Sequence, residues 1–166
     1  MIVWITGLPC SGKTTLAYEL HKRIALGRAV VLDAEDMRSN LWPEIGYSDQ
    51  DRRDNMQRLG YLARMFSQLG LVAIVAAVSP FRDTRNTIRA CNPGVFFEVY
   101  LECPFDARYA RDKRGILGPP TWSRDESYYE PPGMPEIHGH TDTESPDALA
   151  DRVIRAMVEK GLVHAH

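Results

Sequence analysis

Apolar positions along the chain switch between two periods. Ile2-Val3-Trp4-Ile5-Thr6 is a β-branched and aromatic run that stops at Gly7, the pattern of a strand buried on both faces. From Lys13 onward, Leu16, Ala17, Leu20 and Ile24 recur at helical spacing, and Gly27 supplies a helix end. Residues 29–32 form a second strand, closed by Asp33. Ser48 followed by Asp51 makes a capping-box pattern with Asp in place of Glu, and the helix behind it carries Met56, Leu59, Leu62, Phe66 and Leu69 inward. Residues 71–78 make a third strand, stopped by Ser79-Pro80. Residues 82–90 make a short arginine-rich helix and residues 95–101 a fourth strand. Pro104 takes the favoured first-turn place of another helix.

The periodicity breaks between residues 115 and 144. Five prolines (119, 120, 131, 132 and 135) and four glycines in this stretch rule out a long helix. Residues 135–140 can supply a fifth short strand. Ser145-Pro146 opens a last helix with Leu149, Val153, Ile154, Met157 and Val158 on its apolar side. Strands of this apolar kind alternating with helices specify an α/β fold with a mostly parallel sheet. A proline-rich loop of about 20 residues inside a compact domain points to a lid over a site.

The strand–loop–helix at the N-terminus brings in chemistry. Gly7-Leu8-Pro9-Cys10-Ser11-Gly12-Lys13-Thr14 fits G-x-x-x-x-G-K-[ST], in the context that this phosphate-loop motif requires. The glycines let backbone N–H groups face phosphate, and the helix N-terminus adds partial positive charge. Lys13 can neutralise β/γ oxygens, and the Thr14 hydroxyl can ligate Mg²⁺. Cys10 is either a small tolerated residue or a thiol whose pKa the helix terminus lowers, making it open to oxidation. No N-K-x-D guanine motif is present, and the third strand does not end in an acid, which argues against GTPase and motor-ATPase classes. Asp33, at the end of the second strand, stands where small-molecule kinases place a carboxylate toward the acceptor. It could hold Mg²⁺ through water or take the acceptor hydroxyl's proton.

Composition narrows the classes further. At about 150 residues per domain, 166 residues make one domain, 1–166. Twenty Lys+Arg against 22 Asp+Glu give a net charge of −2, unlike a nucleic-acid-polymer binder. Arginines at 38, 52, 53, 82, 85 and 89 nonetheless suggest a local anion site. Three widely spaced cysteines make neither a disulfide framework nor a zinc site. The longest apolar run is too short to span a bilayer, and no secretion signal precedes the first strand, so the expectation is a cytoplasmic protein without a membrane partner. His138 and His140 are too few for a metal site by themselves, and His164 and His166 fall in a terminal tail.

Five stretches now carry a resemblance. They are Gly7 to Thr15; Val31-Leu32-Asp33-Ala34-Glu35-Asp36-Met37-Arg38; Gly46-Tyr47-Ser48-Asp49-Gln50-Asp51-Arg52-Arg53-Asp54-Asn55; Ala76-Ala77-Val78-Ser79-Pro80-Phe81-Arg82; and Glu98-Val99-Tyr100-Leu101 with Ala110-Arg111-Asp112-Lys113-Arg114-Gly115. In these the chain resembles adenylylsulfate (APS) kinases over nearly its whole length. The resemblance implies a P-loop kinase-type three-layer sandwich with a five-stranded sheet and a Pro-rich lid at about residues 112–135. It implies an enzyme that moves the γ-phosphoryl of ATP, with Mg²⁺, to the ribose 3′-hydroxyl of a small-molecule nucleotide acceptor, as a homodimer. By position, Lys13 and Asp33 become catalytic, and Thr14 and Asp33 the metal side. ATP contacts fall on Gly7, Pro9, Cys10, Ser11, Gly12, Lys13, Thr14, Thr15, Arg111 and Arg114. Acceptor contacts fall on Asp36, Arg38, Tyr47, Arg52, Asn55, Ser79, Pro80, Phe81, Arg82 and Trp122, with Tyr47 and Trp122 sandwiching a base.

The chain also departs from the family. Asp-Gly-Asp-Asn becomes Asp33-Ala34-Glu35-Asp36, adding charge and bulk on the acceptor side. The segment that usually precedes the first strand is absent, and the lid's basic residues give way to Ile116-Leu117-Gly118-Pro119-Pro120-Thr121. The leading expectation is therefore adenylylsulfate as acceptor. The second is another nucleotide such as cytidine diphosphoramidate, and the third a nucleotide-binding module without turnover.

Overall fold

A computed structural model of the chain describes residues 1–24, 27–118 and 126–162. Its elements run β1 (Ile2–Thr6), α1 (Lys13–Arg23), β2 (Ala29–Asp33), α2 (Ala34–Leu41), α3 (Asp49–Gln68), β3 (Val72–Ala76), α4 (Arg82–Ala90), β4 (Phe96–Glu102), α5 (Phe105–Arg111), β5 (Ile137–His140) and α6 (Pro146–Glu159). The strands form one sheet in the order β2-β3-β1-β4-β5, with every neighbouring pair parallel.

The sheet splits the core in two because successive side chains of a strand face opposite sides. Val3 and Ile5 point to one side, where Leu16, Ala17 and Leu20 of α1 and Leu149, Val153 and Met157 of α6 cover them. Ile2 and Trp4 point to the other, against Met56, Leu59 and Ala63 of α3 and Ile88 of α4. β1 is buried at all five positions, which is why its sequence has no polar face. The result is the expected three-layer α/β sandwich.

Local signals act where the chemistry predicts. Ser48 caps α3 in a reciprocal capping box with Asp51, and Ser145 caps α6 with Pro146 in its first turn. Two readings shift. α1 ends at Arg23 rather than near Gly27, with Ile24 extended as its cap. Pro104 stands one place earlier than expected, as the N-cap residue of α5.

α2 was not expected, because its apolar signal is short: none of its eight residues is fully buried, and Ala34 and Met37 pack against the core partly buried. Its signal is at the N-terminus. The Asp33 carboxylate accepts hydrogen bonds from the Glu35 and Asp36 amides at 3.0 and 3.4 Å, and two acids occupy the first turn. The residue that ends β2 is therefore also the cap that starts α2.

Candidate functional site

In an open parallel sheet the crevice lies beyond the carboxyl ends of the strands, where the strand order turns back. Here β3 sits between β1 and β2, so the loops after all three open into one cleft of about 860 Å³. The phosphate loop forms one wall, and Asp33 with α2 and α3 the other. The floor is the end of β3, Ala76 to Pro80, with small side chains that leave room for a ligand.

The phosphate loop is held by contacts that the motif does not mention. Gly7 has a φ of +154°, and a Cβ there would lie 2.5 Å from the Leu101 carbonyl oxygen and 2.8 Å from Ser11 Oγ. Gly7→Ala is therefore expected to cost about 1–3 kcal/mol of stability, read by urea denaturation. The Thr141 hydroxyl donates to the Ser11 carbonyl at 2.9 Å, and Arg111 donates to the Thr141 hydroxyl at 3.1 Å. Arg108, 1% exposed, reaches the Pro9 carbonyl at 3.3 Å and also pairs with Glu126. Arg108, Thr141 and Glu126 were not singled out from the sequence. The available signal was the one-turn spacing of Arg108 and Arg111 on α5, which gives that helix a basic face.

Lys13 folds back on its own loop, donating to the Leu8 carbonyl at 2.7 Å. Burial brings its ammonium down to about 8, with Cys10 and Asp33 opposing the shift. Ligand phosphates would favour the charged form. Nucleotide binding is then expected to be strongest below pH 8. It should weaken as pH rises above 8 and take up a proton there, as calorimetry in buffers of different ionisation enthalpy would show. Cys10 has a φ of +62°, and its thiol is pushed up, first by burial and then by Asp112. Lys13, Arg108 and Arg114 oppose that shift without overcoming it, so the raised thiol gives no support to an easily oxidised thiolate.

Thr14 Oγ1 donates to Asp33 Oδ2 at 2.7 Å, joining the two walls. Ser11 Oγ is buried without a partner. The Thr14 and Asp33 oxygens, which line the cleft, are the hard donors that suit Mg²⁺ with a phosphate chain, and the residues present fit that group. On the acceptor side, the Arg38 guanidinium stacks over the Tyr47 ring at 4.2 Å, with its Nε buried and unpartnered. Arg52 donates from Nε to the Tyr47 carbonyl at 3.0 Å and lies 5.5 Å from the Tyr128 ring centre. Tyr47 is 68% exposed, a large ring left open beside the cleft. Asn55 lines the same wall and accepts from the Trp42 indole N–H at 2.8 Å. Tyr128, which also lines the cleft, was missed because the proline-rich segment around it gave no period.

The cleft thus brings together Pro9, Cys10, Gly12, Lys13, Thr14, Thr15, Asp33, Arg38, Tyr47, Arg52, Asn55, Ser79, Pro80, Arg111 and Arg114. Gly7 and Ser11 lie behind its lining. Asp36 turns to Asn40, which donates to its carboxylate at 2.9 Å. Phe81 is buried under the Arg53 guanidinium, and Arg82 donates to the Pro131 carbonyl at 2.9 Å, so neither side chain lines the cleft. Trp122 lies outside the described residues. The six-arginine anion site reduces to Arg38 and Arg52, because Arg53 pairs with Asp83, Arg85 with Glu98, and Arg89 with Glu98 and Glu136.

The floor carries one strained residue. Ser79 has a φ of +41°, rare for a residue with a Cβ. The Trp4 indole N–H donates to its hydroxyl at 3.0 Å, and Arg85 donates to its carbonyl at 2.5 Å. Thr6 donates to the Val78 carbonyl at 2.7 Å and so accepts from the Tyr129 hydroxyl at 2.9 Å. This buried network sets the turn that carries Ser79 and Pro80.

A phosphate loop after β1, an acid at the end of β2 and a parallel 2-3-1-4-5 sheet define a P-loop kinase. The particular family follows from sequence: the adenylylsulphate kinase model matches residues 1–139, and the chain belongs to that family. The adenylyl-sulfate kinase of Burkholderia ambifaria is 38% identical over 165 residues, covering 94% of this chain and 91% of that protein. The bifunctional enzyme NodQ of Azospirillum brasilense is 35% identical over 173 residues, which span 99% of this chain and 28% of that longer protein. Among solved structures, the Mycobacterium tuberculosis APS kinase in complex with AMPPNP and APS matches with a TM-score of 0.83 at 28% identity, over 95% of this chain and 96% of that one.

Proposed function

We propose that this protein transfers the γ-phosphoryl of ATP to the ribose 3′-hydroxyl of adenylylsulfate. The observation that carries the reading is the position of Asp33. Its carboxylate meets Thr14 of the phosphate loop on one side and opens on the other to the wall bearing Arg38, Tyr47 and Arg52. One carboxylate thus stands between a phosphate cradle and an anion-binding wall, as phosphoryl transfer needs.

Thr14 and Asp33 would hold Mg²⁺, which when bound supplies charge neutralisation on the phosphates. Lys13 and the loop amides bind and orient the phosphate chain. Asp33 takes the proton of the acceptor hydroxyl as its oxygen forms the new P–O bond and ADP leaves. Arg38, whose buried Nε lacks a partner, and Arg52 hold the acceptor's anionic group, since a guanidinium offers paired donors to two oxygens. Tyr47 offers its face to the base. Segment 112–135 closes over both substrates, with Trp122 as its base-stacking residue.

One observation favours a second acceptor. Arg114 donates through both Nη atoms to the two carboxylate oxygens of Glu35, each at 3.0 Å. Glu35, the acid that adds charge and bulk on the acceptor side, is thereby tied to a cation placed on the ATP side, which sets that wall apart from the family's pattern. This supports a kinase for another nucleotide, cytidine-type included. A coupled ADP-release assay with ATP and Mg²⁺ decides between them, using adenylylsulfate, cytidine diphosphate derivatives and plain nucleotides. Adenylylsulfate is expected to be turned over fastest. A faster cytidine acceptor would replace it, and no turnover with any acceptor would leave a binding module. No described helix is long and apolar enough to cross a membrane. A cytoplasmic homodimer completes the proposal, and a single-chain mass in sedimentation would remove the dimer.

A further inference from the structure

Away from the cleft, the far edge of the sheet holds three side chains that the function does not use. β5 alternates strictly: Ile137 and Gly139 face the core, and His138 and His140 face out. Gly139 sits so close to α6 that a Cβ would lie 2.9 Å from a Leu149 methyl, which pins this register. In the parallel pairing Glu102 of β4 stands beside His140, and Tyr100 beside His138. Period two on β5 and register with β4 therefore place two imidazoles and one carboxylate on the same outer face.

Their donor atoms converge. His138 Nε2 lies 2.7 Å from Glu102 Oε2, and His140 Nδ1 lies 3.8 Å from the same oxygen. All three donor atoms fall within 4.8 Å of one another. Bonds of about 2.0–2.1 Å in tetrahedral array set donors about 3.3–3.4 Å apart, a separation that these two distances bracket. The rings are oriented too: His138 stacks on Tyr100 at 4.7 Å between centres, and the two imidazoles lie 4.5 Å apart. The nearby cation, Arg152, is matched by Glu144 at 2.8 Å, which limits its repulsion of a bound ion.

We infer that Glu102, His138 and His140 form a surface site for a divalent transition metal of borderline softness, with Zn²⁺ the representative ion. Two imidazoles and a carboxylate suit Zn²⁺, Ni²⁺ and Cu²⁺ and reject Mg²⁺ and Ca²⁺, which demand all-oxygen shells. The site ties β4 to β5, and β5 leads directly into Thr141, whose hydroxyl holds the Ser11 carbonyl of the phosphate loop. Bound metal therefore stiffens the segment behind the nucleotide cradle without entering it.

Equilibrium dialysis of the full chain against Zn²⁺, with metal analysis, tests the site beside a thermal-shift series. Wild type is expected to bind one Zn²⁺ per chain at this site and to melt at higher temperature with it, but not with Mg²⁺. His138→Gln and His140→Gln should each weaken that binding by more than the roughly 10–100-fold that an outer-shell partner costs. Far-UV circular dichroism and ATP affinity, both unchanged, would show that the variants fold. The double variant His164→Ala/His166→Ala should retain the site. Equal Zn²⁺ affinity in His138→Gln and wild type, or loss of binding only in the terminal variant, would overturn the inference. Neither outcome bears on the kinase proposal, which the ADP-release assay tests separately.

Discussion

Asp33→Asn lowers turnover by about 10²–10⁴-fold, the span that a positioned acid or base contributes, and leaves the melting temperature near that of wild type. The two halves of this expectation come from the two sides of one carboxylate. Oδ2 meets the Thr14 hydroxyl in the cleft, and Oδ1 accepts the first amides of α2. Asparagine still offers an oxygen to those amides, and it ranks with aspartate as a cap. It cannot take a proton from a hydroxyl and is a weaker ligand for a divalent ion. Asp33→Ala removes both functions and should add a stability loss of about 0.5–2 kcal/mol. Steady-state kinetics paired with thermal melts separates the variants. Full activity in Asp33→Asn would sink the assignment of this residue to the chemistry.

Arg85→Ala is expected to be the most damaging substitution for folding. Arg85 is 1% exposed and Glu98, its partner at 3.0 Å, is 4% exposed. Removing Arg85 leaves the buried Glu98 carboxylate with the part-exposed Arg89, 3.1 Å away, as its remaining cation, at a cost of about 3–5 kcal/mol for a broken buried pair. At about 2–4 °C per kcal/mol for a chain of this size, the melting temperature falls by roughly 6–20 °C. Arg85 also donates to the Ser79 carbonyl and to that of Glu130. Acceptor KM should therefore rise in whatever fraction stays folded, as the strained Ser79 turn relaxes. Arg53→Ala is the control, because its pair with Asp83 is exposed and such pairs contribute about 0–1 kcal/mol. Equal melting temperatures for the two variants would contradict the burial argument.

Arg85 and Arg38 show why part of the site could not be read from one dimension. Both lie in arginine-bearing segments beside apolar strands, and charge alone makes each a candidate for an anion. Glu98 decides the difference. It sits inside β4, where β1 and α4 cover it, and it draws Arg85 and Arg89 away from the cleft. Arg38 lies over the face of Tyr47 and keeps an Nε without a partner. Phe81 and Arg82 likewise sit in a cleft-forming turn by sequence, yet Arg53 and the Pro131 carbonyl engage them elsewhere.

Local rules determined whatever depends on neighbours in the chain. Strand runs, the phosphate loop, the Ser48–Asp51 box and the Ser145-Pro146 helix start are short-range patterns, and they stand where the sequence alone predicts, with strand ends moved by a residue or two. α2 escaped because it is short and only partly buried, so its capping residue was its clearest mark. Contacts across the sheet belong to the tertiary structure alone. Parallel register placed Glu102 beside His140, packing of α4 on the sheet buried Glu98 against Arg85, and the strand order set Asp33 on β2 within reach of Thr14 after β1. Those partners are 38, 13 and 19 residues apart in sequence. Glu102 and His140, neighbours across β4 and β5, show the reason. A side chain's chemistry is set by what packs against it, and in a crossover-connected sheet that neighbour comes from a distant stretch of chain.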